Sequence, residues 1–312
     1  MAFAEPTLAD FRNPLARYFA ATRPAFLSVT LVGCLLGLAS AYAGGVALDP
    51  ATAFVTLAFA LVAHAGINVL NDYYDALNGS DAANTERRYP FTGGSRFIQN
   101  GLISVGATGI FGYVLLMAVV PAGLWLTHYS APGLIWIGLA GLAVGWAYSA
   151  PPFKLMSRGV GEAAVACGWL IVVVGADYVQ RGALSWAPVA AGLGYALHVA
   201  NLLFINQFPD VKADAAAGKR NLVVRFGPMR ARWLYPAIAA AAYLWLVGAV
   251  LAGALPALAL IALAAAFPAF SAARILARNA LRPAALDPAI RATIGAALIH
   301  GALLAGALFA AG

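Results

Sequence analysis

Charge is scarce in this chain of 312 residues. Charged side chains make up 10% of it, and only 12 of them are acidic. Soluble domains carry about a quarter charged residues, so a water-exposed globule of this length is excluded. Cysteine is rarer still. Cys34 and Cys167 form neither a disulfide framework nor a zinc pattern, and the 4 histidines do not cluster with them. No polar linker or composition shift divides the chain, which therefore reads as one domain over 1–312.

What is abundant is apolar. Hydrophobic residues reach 62%, and they fall into runs of roughly 20, the length that crosses a hydrocarbon core. The runs lie at about 24–44, 51–70, 104–125, 131–148, 161–179, 186–206, 232–254, 256–277 and 288–310. The 32 glycines and 17 prolines do not argue against helix, because membrane helices tolerate both. The expected fold is all-α: a polytopic bundle of nine transmembrane helices in the lipid bilayer.

The net charge of +7 suggests nucleic acid until the basic residues are placed. With nine spans, the N-terminal side receives Arg12, Arg17, Arg23, Arg87, Arg88 and Arg96. It also receives Lys154, Arg158, the run from Lys212 to Arg232, and finally Arg274, Arg278, Arg282 and Arg291. That leaves only Arg181 of the 19 on the other side. The positive-inside rule then puts the N-terminus in the cytoplasm and the C-terminus outside, across the plasma (inner) membrane if the cell is bacterial. No nucleic-acid partner is needed. Residues 1–23, which contain Glu5 and Asp10 and lack a small-residue cleavage site, read as a cytoplasmic segment and not as a signal peptide.

The few acidic residues are concentrated. The second span ends in Asn68, Asn71, Asp72, Asp75 and Asp81, followed by Gly93-Gly94-Ser95-Arg96. The sixth ends in Asn206, Asp210 and Asp214, followed by Gly218-Lys219-Arg220. The two echoes share the cytoplasmic side, and the connections that carry them, 71–103 and 207–231, are the longest. Asp72 and Asp75 are spaced i,i+3, and Asp210 and Asp214 i,i+4, so each pair shares one helix face. Carboxylates near membrane depth persist only beside a cavity or a partner. Two such pairs facing each other call for a cation, and a hard divalent ion such as Mg²⁺ takes one or two carboxylates plus substrate phosphates. Arg96, Lys154, Lys219 and Arg220 stand just beyond helix ends on that side, where they can grip diphosphate oxygens. Asn68, Asn71, Asn206 and Tyr148 are polar groups at the same depth. Contacts to metal, water or acceptor and plain interhelical hydrogen bonds are both open to them. Glu162 opens the fifth span, where a carboxylate suits a helix N-terminus.

The segment Asn71-Asp72-Tyr73-Tyr74-Asp75, with Asp81 after Gly79, resembles the first aspartate motif of the UbiA superfamily of intramembrane prenyltransferases. Asp210-Val211-Lys212-Ala213-Asp214, leading to Gly218-Lys219-Arg220, resembles the second. Tyr148 to Glu162 is similar to the segment after the fourth helix of that family. The likeness extends over roughly 20–230. Within the superfamily it is greatest to the 1,4-dihydroxy-2-naphthoate polyprenyltransferases of menaquinone synthesis, because Asp81 comes six residues after Asp75 and the second motif ends in Gly-Lys-Arg. Gly94-Ser95 replaces the family's usual Pro-Gly, and Asn221 stands where threonine is common. The resemblance implies a bundle with a central cavity open to the cytoplasm. It implies two Mg²⁺ ions held by Asp72, Asp75, Asp210 and Asp214, with Asp81, Tyr148 and the amides and bases above binding substrate. It also implies transfer of a polyprenyl group from polyprenyl diphosphate to an aromatic acceptor. 4-Hydroxybenzoate, homogentisate, haem and chlorophyll-type acceptors are alternatives to naphthoate, and a secondary transporter is the rival from outside the family.

Overall fold

The computed structural model describes residues 4–312, which form helices and turns with no strand among them. Nine helices of the described residues build the bundle. They are α1 (Leu27–Ala43), α2 (Pro50–Asn78), α3 (Val105–Tyr129), α4 (Leu134–Ser149), α5 (Gly161–Arg181), α6 (Ala187–Ala216), α7 (Leu234–Leu251), α8 (Ala257–Asn279) and α9 (Asp287–Ala311). Taking α1 and α7 with the short helical turns that precede them, eight of the nine are long and apolar enough to cross a bilayer. The ninth, α4, has 16 residues. At 1.5 Å per residue that is about 24 Å, short of the roughly 30 Å hydrocarbon core.

Two helices run further than the apolar pattern alone indicates. α2 continues from 70 to Asn78 and α6 from 206 to Ala216, so the connections begin at 79 and 217 rather than at 71 and 207. Gly79, at φ +81°, stops α2 in the left-handed conformation that glycine adopts without steric cost. At the other end of α2, Asp49 caps the helix by accepting from Thr52 N–H at 2.7 Å, with Pro50 at the first helical position.

Helix α1 packs on α5 through small residues. A Cβ on Gly37 would collide with the Val173 carbonyl, so glycine sets how closely the two backbones meet. One core, around Leu36, Val173, Tyr195, Leu246 and Leu304, joins α1, α5, α6, α7 and α9. A second, around Phe204, Phe208, Tyr235, Leu276 and Ile290, lies nearer the acidic motifs. The outer surface is apolar: Leu251 and Phe267 are each 83% exposed. Exposing such side chains to water costs about 25 cal/mol per Å², whereas lipid imposes no such cost. The chain is an integral, multi-pass membrane protein.

Ion pairs gather at the end of the bundle that carries the acidic motifs. Arg87 Nε meets Glu5 at 2.6 Å, and Arg88 holds Asp287 with two bonds of 2.6 and 2.7 Å. Together they tie the connection after α2 to the N-terminal segment and to the start of α9. At the opposite end Arg181 pairs with Asp177 and donates to Ser40 O.

Candidate active site

Each carboxylate pair sits on the last turns of its helix, α2 or α6, and Lys219 links one pair to the other. Its Nζ lies 2.7 Å from Asp75 Oδ1 and 3.3 Å from Asp214 Oδ1. Lys219 reaches them because the chain turns back at Gly218 (φ +75°) and the Lys219 N–H donates to Asp214 O at 2.8 Å. Asn84 Nδ2 donates to Asp210 Oδ1 at 2.6 Å, which makes a second bridge between the two halves. Asn221 Nδ2 donates to Asp214 Oδ2 at 2.7 Å.

The connection after α2 closes the floor of this mouth. Ser95 N–H donates to Asp72 Oδ2 at 3.1 Å, while Asp72 Oδ1 is buried without a partner. Gly94 (φ +73°) lies against both Asp72 and Asp81. A Cβ there would collide with Asp81 Oδ2 and stand 3.1 Å from Asp72 Oδ1. Glycine therefore lets two carboxylates face one small space. Burial, reinforced by Asp75 and Asp72, pushes the Asp81 carboxyl well above the usual carboxylate range. Burial also works against the Lys219 ammonium, but Asp75 and Asp214 outweigh it and hold the ammonium above its ordinary pKa. The mouth is short of positive charge.

Behind it opens a cavity of about 530 Å³. Its polar end is lined by both motifs, and its deeper walls by apolar side chains such as Phe59, Ile67, Val144 and Trp169. Leu124, Ile135 and Leu139 line it from α3 and α4 and are 55%, 39% and 51% exposed, so the wall between those helices opens sideways onto the outer surface.

Of the residues expected from the sequence, Asn68, Asn71, Asp75, Asp81, Tyr148, Asn206, Asp210, Asp214 and Lys219 all border this cavity. Asp72 sits just behind it, against Gly94 and Ser95. Asn71 donates to Asp75 Oδ2 (3.3 Å) and Ser149 Oγ (3.1 Å), and Asn68 donates to Thr22 O (3.1 Å). Three basic residues lie elsewhere. Arg96 is buried in the connection after α2, donating to Asp81 O at 2.6 Å with Glu5 at 3.6 Å. Lys154 and Arg220 are exposed, and neither borders the cavity.

The structure adds residues that the motif reading passed over. Arg23 lines the cavity and anchors the connection after α2 by donating to Phe91 O at 3.0 Å; from sequence it counted only as a topological charge. Asn84, Asn221 and Gln207 also line it. Asn84 stands three residues after Asp81, just past the short helix Ser80–Ala83, with extended backbone, so helical spacing gives no signal for it.

A model of the UbiA prenyltransferase family matches residues 30–294. The chain is 30% identical over 191 residues to a 1,4-dihydroxy-2-naphthoate octaprenyltransferase of Mycobacterium tuberculosis, a match covering 61% of this chain and 63% of that one. It is 31% identical over 228 residues to a 2-carboxy-1,4-naphthoquinone phytyltransferase of Synechocystis sp., covering 70% of each. The match thus spans less than two thirds of the mycobacterial relative's length. Among solved structures, a digeranylgeranylglyceryl phosphate synthase superposes with a TM-score of 0.65 at 15% identity, over 95% of this chain and 99% of that one. A UbiA homolog from Archaeoglobus fulgidus, bound to DMAPP and Mg²⁺, gives 0.56 at 16% identity, over 92% and 99%. These two share the fold. With the family model matching residues 30–294, most of this chain, the chain belongs to the UbiA prenyltransferase family.

Proposed function

We propose that this protein is a Mg²⁺-dependent prenyltransferase that moves a polyprenyl group from its diphosphate to an aromatic acceptor, 1,4-dihydroxy-2-naphthoate, in menaquinone biosynthesis. The observation that carries the reading is the junction of the two acidic motifs through Lys219 at the mouth of a long apolar cavity. The unpartnered Asp72 Oδ1 and the hard oxygen donors of Asp75, Asp210 and Asp214 fit a divalent cation. Among the described residues no three carboxylates or imidazoles close a protein-only cage. Mg²⁺ takes one or two carboxylates and fills the rest of its octahedron with phosphate and water, so two ions shared between the motifs and a diphosphate suit this donor set. When bound, the metal supplies positive charge against the leaving diphosphate.

The remaining work belongs to side chains of the chain. Lys219 donates to diphosphate oxygens left uncovered, and Arg23 adds positive charge at the same mouth. The apolar walls hold the tail and keep water from the allylic carbon as its bond to oxygen breaks. The side opening between α3 and α4 gives a long tail a route into lipid. An electron-rich ring carbon of the acceptor then forms the new bond; loss of the naphthoate carboxyl accompanies it. The proposed orientation places this mouth, the N-terminal segment and the loop basic residues on the cytoplasmic side of the bacterial inner membrane, with the C-terminus outside.

The test is purified protein with Mg²⁺, geranylgeranyl diphosphate and a panel of naphthoate, hydroxybenzoate and homogentisate acceptors, read by mass spectrometry. A prenylated, decarboxylated naphthol is the expected product, and EDTA abolishes it. No product from any acceptor overturns the reading.

A further inference from the structure

We infer that Gln207 recognises a hydroxyl group of the ring acceptor and that Glu162 fixes the orientation of its amide; the inference rests on the prenyl-transfer reading above. Gln207 lies on α6, i,i+3 from Asp210, which places it about one turn deeper than the diphosphate end of the site. It is 7% exposed and borders the cavity.

Its Nε2 donates to Glu162 Oε1 across 2.6 Å. A carboxylate can only accept, so the amide must turn its NH₂ toward Glu162. That contact settles which amide atom is which, a choice that the shape of the side chain alone leaves open. The carbonyl must then face away from Glu162. Gln207 Oε1 is indeed buried with no donor, and so is Asn206 Oδ1 on the residue before it.

Two neighbouring carbonyl oxygens at the cavity border, buried and unmet, call for an O–H or N–H donor. A diphosphate offers only acceptors, and a prenyl tail offers neither donor nor acceptor. The remaining substrate, a hydroxylated aromatic ring, brings O–H donors. Gln207 is therefore a specificity residue, and Glu162, which reaches the acceptor through it, is a positioning residue.

The experiment compares 1,4-dihydroxy-2-naphthoate with its 1,4-dimethoxy ether, which has the same ring and carboxylate but no hydroxyl donor. Dissociation constants are measured by tryptophan fluorescence on the full-length protein in detergent, with Mg²⁺ and geranylgeranyl thiodiphosphate. Wild-type protein is expected to bind the hydroxylated ring roughly tenfold more tightly. Gln207→Met, close in shape but without the carbonyl, brings that ratio to about twofold or less. Glu162→Gln frees the amide to flip; it raises KM for the naphthoate while kcat and the KM of geranylgeranyl diphosphate stay within about twofold. Thiodiphosphate binding that is unchanged in both variants shows that they are folded. A hydroxyl preference kept in Gln207→Met overturns the inference, and so does a wild-type protein that binds ring and ether alike or binds neither. Wild-type turnover with the acceptor panel, measured in parallel, shows separately whether the prenyl-transfer reading stands.

Discussion

Lys219→Met takes away the ammonium that joins the two acidic motifs and leaves the length of the side chain nearly unchanged. In the metal-free protein Lys219 pairs with Asp75 at 2.7 Å and Asp214 at 3.3 Å, and its side chain is only 10% exposed. Solvent therefore screens the pair weakly. Deleting one partner of a buried ion pair costs about 3–5 kcal/mol, because the other charge is left uncompensated. For a chain of this size that corresponds to a fall in Tm on the order of 5–10 °C. The assay is thermal unfolding in detergent with EDTA, repeated with excess Mg²⁺ and geranylgeranyl diphosphate. A divalent cation between the motifs replaces the lost charge, so the gap between wild type and variant should shrink when Mg²⁺ and diphosphate are added. A variant that matches wild type in EDTA would refute the claim that Lys219 holds the motifs together. A gap of equal size in both conditions would refute the claim that a cation takes over that role.

Asp210→Ala should cut turnover by at least about a hundredfold, while the protein still inserts and elutes as a folded species on size exclusion. Gly94→Ala should destabilise the connection after α2 and impair activity, because a Cβ there collides with Asp81 Oδ2 and the residue sits at φ +73°; the backbone contribution alone is on the order of 1 kcal/mol, readable as a lower Tm. Asp81 sets a pH dependence. Its folded pKa is raised, chiefly by burial, so the folded state keeps a proton that the unfolded chain releases above about pH 4. Metal-free wild type should therefore lose stability as pH rises above about 4, until the folded-state carboxyl also gives up its proton, and Asp81→Asn should flatten that slope in a series of thermal melts.

The membrane architecture was legible because it rests on runs of apolar residues, which are read without coordinates. The acidic pairs were legible because helical spacing alone puts Asp72 with Asp75 and Asp210 with Asp214. Spans drawn by hydropathy stopped at 70 and 206, since the residues that follow are polar, yet α2 and α6 continue past them. Those extra turns are where the carboxylates stand. Which bases would face inward was not readable. Arg96, Lys154, Lys219 and Arg220 look alike in sequence, but only Lys219 follows a glycine turn that returns its side chain to the helix it has just left. Arg96 is spent on the backbone of Asp81 instead. Asn84 and Gln207 were missed for a related reason: their partners, Asp210 and Glu162, are 126 and 45 residues away in the chain.

The central claim is that the two acidic motifs together hold a cation-bound diphosphate. Mn²⁺ substituted for Mg²⁺ tests it directly, by measuring ³¹P hyperfine coupling to the metal with geranylgeranyl thiodiphosphate bound to the purified protein. Wild type should show the coupling, and both Asp72→Ala and Asp210→Ala should lose it. Coupling that persists unchanged in either variant would contradict the claim.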